Sequence, residues 1–416
     1  MDDTLTPLRK NRDFHLLWFG GLSASLGSRM ATLALPLLVL QQTGSPAKAG
    51  LIGSVAGATL LVAVIPAGAV ADAVERRRLM LGCELTGVVV AAVLAMSVLL
   101  GNPSLWLVLL AVAVVSAQSL AYMPATNALL RAAVPADQLG LALSRLQARG
   151  AGTAIAGPLL GGVLFGLRPV LPFVAMAGGL LVSFACLLAV RSRSAPAPEG
   201  RPLAPRNMVS GLRFVWRQRY VRTVLIVFGA GLNAAFGGVM LVAITTGAEV
   251  DPSGRSSGVI VALSAVGSLA GALLAPRLRA PERPRTSVML CCWTAAVIVP
   301  ALATVTEPVL LGVMLALVLC VTAVGNVAFS TELLQLTPDE MTGRVNSAAN
   351  LISMVSQPIG PLAGGLLADR FGHEAAFLVF GGVIVIGAVA LTTSLRRNEH
   401  HVRHRSGAGH DGPAPG

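Results

Sequence analysis

Residues 155–164 read "IAGPLLGGVL" and residues 358–367 read "PIGPLAGGLL". Each stretch puts a proline and glycines inside an apolar run long enough to be a helix. Proline removes a helix hydrogen bond, and glycine costs about 1 kcal/mol relative to alanine in a helix. Two copies of such a cluster point to duplication. Pro158 and Pro361 are 203 positions apart, and so are Pro135 and Pro338. With that offset, residues 134–164 lie on 337–367. The identities include Gly140/Gly343, Ser144/Ser347, Gly157/Gly360, Pro158/Pro361, Gly161/Gly364 and Gly162/Gly365. The offset is about half of the 416 residues, so the chain reads as two related halves.

The surroundings of both stretches are apolar. The chain is 54% hydrophobic and only 12% charged. Runs of about 20 apolar residues recur along its length, as bilayer crossing requires. They fall near 14–40, 49–71, 79–100, 105–126, 141–166 and 170–190, then 223–246, 257–276, 286–305, 308–330, 345–367 and 375–395. The expected fold is an all-α polytopic membrane protein, with twelve transmembrane helices in two six-helix pseudo-repeats. Paired six-span halves about an axis along the membrane normal are a transporter architecture.

Net charge is +12, with Lys10 and Lys48 the only lysines. The charge sits in short loops between apolar runs, so it reads as a topology signal and not as a nucleic-acid patch. With the N-terminus in the cytoplasm, cytoplasmic segments hold twenty-four of the 31 basic residues. Only Lys48, Arg168, Arg255 and Arg370 fall outside. Both termini are therefore expected in the cytoplasm, with the protein in the cell membrane. The division is 1–190 (first six-helix bundle), 191–222 (linker), 223–396 (second bundle) and 397–416 (disordered tail). The linker is Pro-rich at first, and then Leu212, Val215, Trp216 and Val221 alternate with arginines, as in a surface helix. The five cysteines lie within apolar runs and form no CxxC pair, so no metal site or disulfide framework is expected. His400, His401, His404 and His410 read as a solvated tail more readily than as metal ligands. No cofactor is implied.

Three segments carry a family resemblance: "NRDFHLLWFGGLSASLGSRMATLALPLLVLQQTGSP" at the start, "AYMPATNALLRAAVPADQLGLALSRLQ" across spans 4 and 5, and "LQLTPDEMTGRVNS" before span 11. They resemble the major facilitator superfamily, in its branch of twelve-span drug and macrolide exporters. "GAVADAVERRR", 68–78, resembles the signature loop after span 2. By that resemblance Gly68 allows close helix packing, and Asp72 contacts the other half at an inner gate. Arg76, Arg77 and Arg78 complete the charge cluster, with Arg131 as a possible latch partner for Asp72. In the second half Asp72 maps to Ala275, so the latch is asymmetric. "GLLADRFG", 365–372, fits the signature string well, but the repeat puts it after span 11, where a structural role is expected. The "GPxxGG" at 157–162 resembles the span 5 motif of superfamily antiporters, which implies export.

Polar groups inside spans are costly and need a partner or a cavity. Arg29 stands in span 1 just after Leu26-Gly27-Ser28, where the branch often has "LGD". It either attracts anionic groups of a substrate or packs against backbone carbonyls. Glu84 in span 3 is a carrier of the coupling proton or the partner of Arg145 or Arg149 in an ion pair. Spans 1, 4, 7 and 10 line the cavity in this fold, with Ser25, Arg29, Gln118, Tyr122, Asn233, Phe236 and Asn326 as the lining residues expected here. Pro158 and Pro361 are expected to kink their helices. Gly157, Gly161 and Gly162, with Gly360, Gly364 and Gly365, are expected to form smooth faces toward the opposite half. The expected activity is proton-coupled efflux of amphipathic small molecules by a monomer. Uptake of a metabolite is the alternative, and a non-transporting sensor a third reading. No Walker A string or intramembrane catalytic pair is present, so an ATP-driven pump or an enzyme is not indicated.

Overall fold

The computed structural model describes residues 8, 10–101, 103–191, 213, 216–278, 282, 284–338 and 341–407; the side chains of 65, 69, 71–73, 219, 220 and 395 onward fall outside that description. Among the described residues there is no strand. The first half contains α1 (Arg12–Thr43), α2 (Pro46–Ala73), α3 (Arg76–Leu99), α4 (Leu105–Ala133), α5 (Leu139–Leu167) and α6 (Leu171–Ala189). The second half begins with α7, built from Arg219–Val224, a π-helical stretch Leu225–Leu232 and Asn233–Val250. There follow α8 (Arg255–Leu274), α9 (Pro284–Ala301), α10 (Pro308–Leu336) and α11 (Thr342–Ser356). The last helical run, Ile359–Gly407, is interrupted at Gly372 (φ 84°, ψ 167°), a conformation that favours glycine. We call its parts α12 (359–371) and α13 (373–407).

Helix starts are written locally. Asn11, Ser45, Ser104 and Glu307 each accept a first-turn N–H, and Pro46 and Pro308 sit at N1 where no donor is needed. Eleven stretches are long and apolar enough to cross a membrane, and the last of them, Thr342–Ser394, contains two spans. The twelve expected spans are therefore present. Trp106, Leu100, Val62 and Ile386 are among the most exposed side chains, as a lipid-facing surface requires.

Three expectations need correction. Span 11 is two helices, with a turn at 357–358, whereas α5 runs unbroken through Pro158. The repeat offset sets Ile155 opposite Pro358, so the second half carries an extra proline, and the break lies there and not at Pro361. The tail was expected to be disordered from 397, but the backbone stays helical to Gly407; 408–416 lie outside the described residues. Most of the linker also lies outside them. Its Trp216 is exposed, but Val221 is buried in the second-half core and does not lie on a membrane surface.

Within each half, small residues set the packing, as expected where lipid removes the hydrophobic drive between helices. Gly27 lies on the Met176 backbone of α6, and Gly267 and Gly271 of α8 lie on Ala316 and Cys320 of α10. Between the halves, α2 packs on α12 and α5 on α8. All glycine contacts across this seam lie at one end of the bundle, opposite the end where α1 begins and α13 finishes. We call these the distal and terminal ends. At the terminal end Gly68, Gly140, Gly150, Gly152 and Gly343 face open space. The halves thus meet distally and part terminally.

Candidate functional site

The two GPxxGG segments build the seam by one rule used twice. A Cβ added at Gly162 would stand 2.5 Å from the carbonyl oxygen of Gly254, and one at Gly365 would stand 2.5 Å from that of Pro46. Each clash is with the first residues of the helix opposite, α8 and α2. Reciprocally, a Cβ at Gly258 would meet the Pro158 carbonyl at 2.7 Å, and one at Gly50 would meet the Pro361 carbonyl. Gly254 is favoured as glycine by its φ of 78°, and a Cβ there would also press on the Leu37 side chain at 2.8 Å. Asp251 shapes the turn ahead of it, accepting from the Ser253 backbone N–H at 2.9 Å and hydroxyl at 2.7 Å. The Ser253 hydroxyl holds its carboxyl below the ordinary range. This depressed value means that the turn keeps its support at neutral pH and loses it only as pH falls through the lowered value.

The other glycines of the motif do something different from what their spacing suggested. Gly157 lies on Arg29 and Gly161 on Met30, both in α1 of the same half. Gly360 lies on Ala234 and Gly364 on Gly238, both in α7 of the same half. Only the last glycine of each motif, with the proline carbonyl, faces across. A helix has several faces, and the run of four small residues wraps onto two of them.

Of the signature loop, Gly68 and the arginines can be placed. Gly68 is exposed and packs on nothing, because the terminal ends stand apart. The side chain of Asp72 lies outside the described residues. Arg77 donates to the carbonyl oxygens of Leu187 (3.1 Å) and Leu188 (2.8 Å), which closes the C-terminus of α6 in its own half. Arg78 pairs with Glu75 at 2.9 Å. Arg76 is half-buried, and Arg131 is exposed in the last turn of α4.

Glu84 is buried between α3, α4 and α6. Its Oε1 accepts from the Tyr122 hydroxyl at 2.7 Å and the Ser183 hydroxyl at 2.5 Å, while Oε2 meets no partner among the described residues. The expected ion pair with Arg145 or Arg149 is therefore not formed. Arg149 donates to the carbonyls of Leu17 and Trp18, both at 3.2 Å. Arg145 lies over the Phe14 ring at 6.0 Å, a cation–π distance. Two neutral hydroxyls take the place of the cation. Spacing gave no sign of Ser183, which comes from a third helix.

Of the expected lining residues, Ser25 shares a hydrogen bond with Thr153 (3.0 Å), Arg29 is exposed, and Gln118 is half-buried near Gly87. Asn233 and Asn326 share a cavity of about 210 Å³ at the terminal end with Asn346, Asn350 and Ser353. Phe228 and Phe329 stand edge to face in its wall, with centroids 6.1 Å apart. Asn233 donates to the Gly229 carbonyl within the π stretch. Phe236 packs against the second-half core, not as free lining. A second buried carboxylate, Glu332 of α10, lies 3.7 Å from Arg285 of α9. The sequence reading ended that span at 330 and so left Glu332 outside.

At the distal end the "GLLADRFG" stretch has a definite place. Ser45 at the start of α2 donates to Asp369 of α12 at 2.9 Å, a hydrogen bond between the halves.

Relatives were found at three levels. "Multidrug resistance protein MdtG" of Escherichia coli is 26% identical over 408 residues, covering 94% of this chain and 96% of that protein. The nucleoside transporter NupG superposes with a TM-score of 0.73 at 14% identity, covering 92% and 99% of the two chains. A bacterial homologue of the iron transporter ferroportin superposes at 0.68 in its inward-facing state and 0.60 in its outward-facing state, at 17% and 18% identity. Coverage is 92% of this chain in both, and 98% and 99% of the homologue. The profile described as "Major Facilitator Superfamily" matches residues 17–360 and 284–415. The chain belongs to the Major Facilitator Superfamily, as a multi-pass membrane transporter and not an enzyme.

Proposed function

We propose that this transporter exports amphipathic small molecules by alternating access, driven by protons, as a monomer in the cell membrane. The observation that carries the reading is the pair of matched seams, Gly162 on Gly254 and Gly365 on Pro46. Two such contacts related by the repeat close the distal end, and their release lets the halves rock as rigid bodies about a central site. The similarity to a multidrug resistance protein supports the cargo class. The excess of arginine on terminal-end loops supports a cytoplasmic terminal end, so cargo loads from inside in this conformation. Few fixed charges line the approach, which suits lipophilic cargo. Glu84 is the proposed proton carrier, since its free Oε2 can hold a proton without disturbing the two hydroxyl bonds on Oε1.

Growth of an efflux-deficient host on a panel of antibiotics and dyes tests the reading. Expression should raise the tolerated concentration of several compounds, and an uncoupler should remove the gain. Asp72→Asn should remove most of it too, at unchanged membrane abundance, because Asp72 is proposed to latch the terminal ends when they close. Cargo that accumulates inside the cell instead would replace export by uptake.

A further inference from the structure

We infer that the second half carries a cargo subsite for uncharged, hydrogen-bonding groups, formed by Asn326 of α10 with Asn346 and Asn350 of α11 beside the Phe228–Phe329 pair. The inference rests on the amphipathic-cargo part of the proposed function, and not on export or on protons.

The polar residues fall in stripes. Thr342, Asn346, Asn350 and Ser353 follow one another at helical spacing, so they share one face of α11. Asn326, Ser330 and Thr337 do the same on α10. Such stripes on membrane-spanning helices need a cavity or a partner. Both line the cavity of about 210 Å³, with Gly229 and Asn233 of α7. The four asparagines are exposed, whereas Phe228 and Phe329 are buried. The cavity thus has an apolar floor and a polar rim, as a site for a small amphipathic molecule requires.

The rim has hydrogen-bonding capacity to spare. Asn233 spends its amide N–H on the Gly229 carbonyl. Asn326, Asn346 and Asn350 make no hydrogen bond to the described residues, and neither do the hydroxyls of Ser330 and Ser353. Their neighbours behave differently. Thr331, Thr337 and Ser347 turn the hydroxyl back to the carbonyl four residues earlier. A carboxamide both donates and accepts. Three of them match a group that also does both, such as an amide, or a hydroxyl beside a carbonyl. Charge is not catered for. Among the described lining residues none is charged, and Glu332 of α10 is paired with Arg285 of α9 at 3.7 Å. An ion entering here would lose water and meet no counter-charge.

Duplication does not account for the asparagines. The repeat offset sets Leu143 opposite Asn346, Gln147 opposite Asn350 and Gly150 opposite Ser353. Conversely, Arg145 and Arg149 of the first half fall opposite Ala348 and Ile352. A role in holding a six-helix bundle together would serve both halves alike. The stripe on α11 belongs to one.

The test uses the full chain in nanodiscs and three probes of one shape: phenylbutanamide, the cation phenylbutanamidine and the anion phenylbutanoate. Ligand-detected NMR at neutral pH, with empty nanodiscs subtracted, gives each dissociation constant. The amide should bind at least about tenfold more tightly than either ion. Asn346→Leu and Asn350→Leu should each weaken amide binding about threefold to tenfold at an unchanged melting temperature. Either serves alone if the other does not fold. Asn346→Asp should tighten binding of the amidine. No saturable amide binding, equal binding of the three probes, or amide binding undiminished in both leucine variants overturns the proposal. Amide binding without efflux of any compound in the growth panel would sink the exporter reading and leave the subsite standing; efflux without amide binding would do the reverse.

Discussion

Gly162→Leu and Gly365→Leu should each sharply reduce transport while the protein still inserts and folds. Both glycines face backbone of the opposite half, with a new Cβ 2.5 Å from a carbonyl oxygen. Backbone cannot swing aside as a side chain end can, so the halves must part. Overpacking of this kind costs about 1–3 kcal/mol, and about 1.4 kcal/mol is tenfold in an equilibrium. The cost falls on the distally closed state alone, because the contact is released when the distal end opens. Transport should drop by about fivefold to about a hundredfold. Gly161→Leu and Gly364→Leu are the contrasting pair. They press on α1 and α7 within one half, so they should lower thermal stability and yield in every conformation. Normal transport by both Gly162→Leu and Gly365→Leu would falsify the rocking seam.

The second large effect is expected at Glu84. Glu84→Gln keeps an oxygen for Tyr122 and Ser183 but cannot carry a proton between the two faces. It should fold near wild type and bind cargo, yet fail to drive cargo against a gradient in proteoliposomes with an imposed pH difference. Glu84→Ala removes the acceptor and leaves two buried hydroxyls without partners. Each stranded donor costs about 1–3 kcal/mol, so this variant should also melt at a clearly lower temperature. Uphill export by Glu84→Gln at the wild-type rate would move the coupling site elsewhere, with Asp72 and Glu332 as the next carboxylates to test.

The membrane class, the twelve spans and the repeat were legible in the residues, because each rests on local composition or on a fixed offset. Glycine count near Pro158 and Pro361 also gave the right helices for the seam. It could not give the face. A glycine reports that something comes close, and Gly161 and Gly162 differ by one position yet touch different halves. The partners of Glu84 escape the sequence for a similar reason. Sequence offers the nearest opposite charges, Arg145 and Arg149, whereas helix rotation delivers Tyr122 and Ser183. Pro358 stands beside the more conspicuous Pro361, yet it is the extra proline that breaks span 11.

Sequence by itself determined that this chain lives in a bilayer as two six-span halves, since apolar length and duplication survive any choice of helix rotation. Tertiary structure alone decided which glycine faces which half, what satisfies a buried carboxylate, and that Ser45 and Asp369 meet across the seam. Those facts depend on rotation about helix axes, which is not written in the period of the sequence.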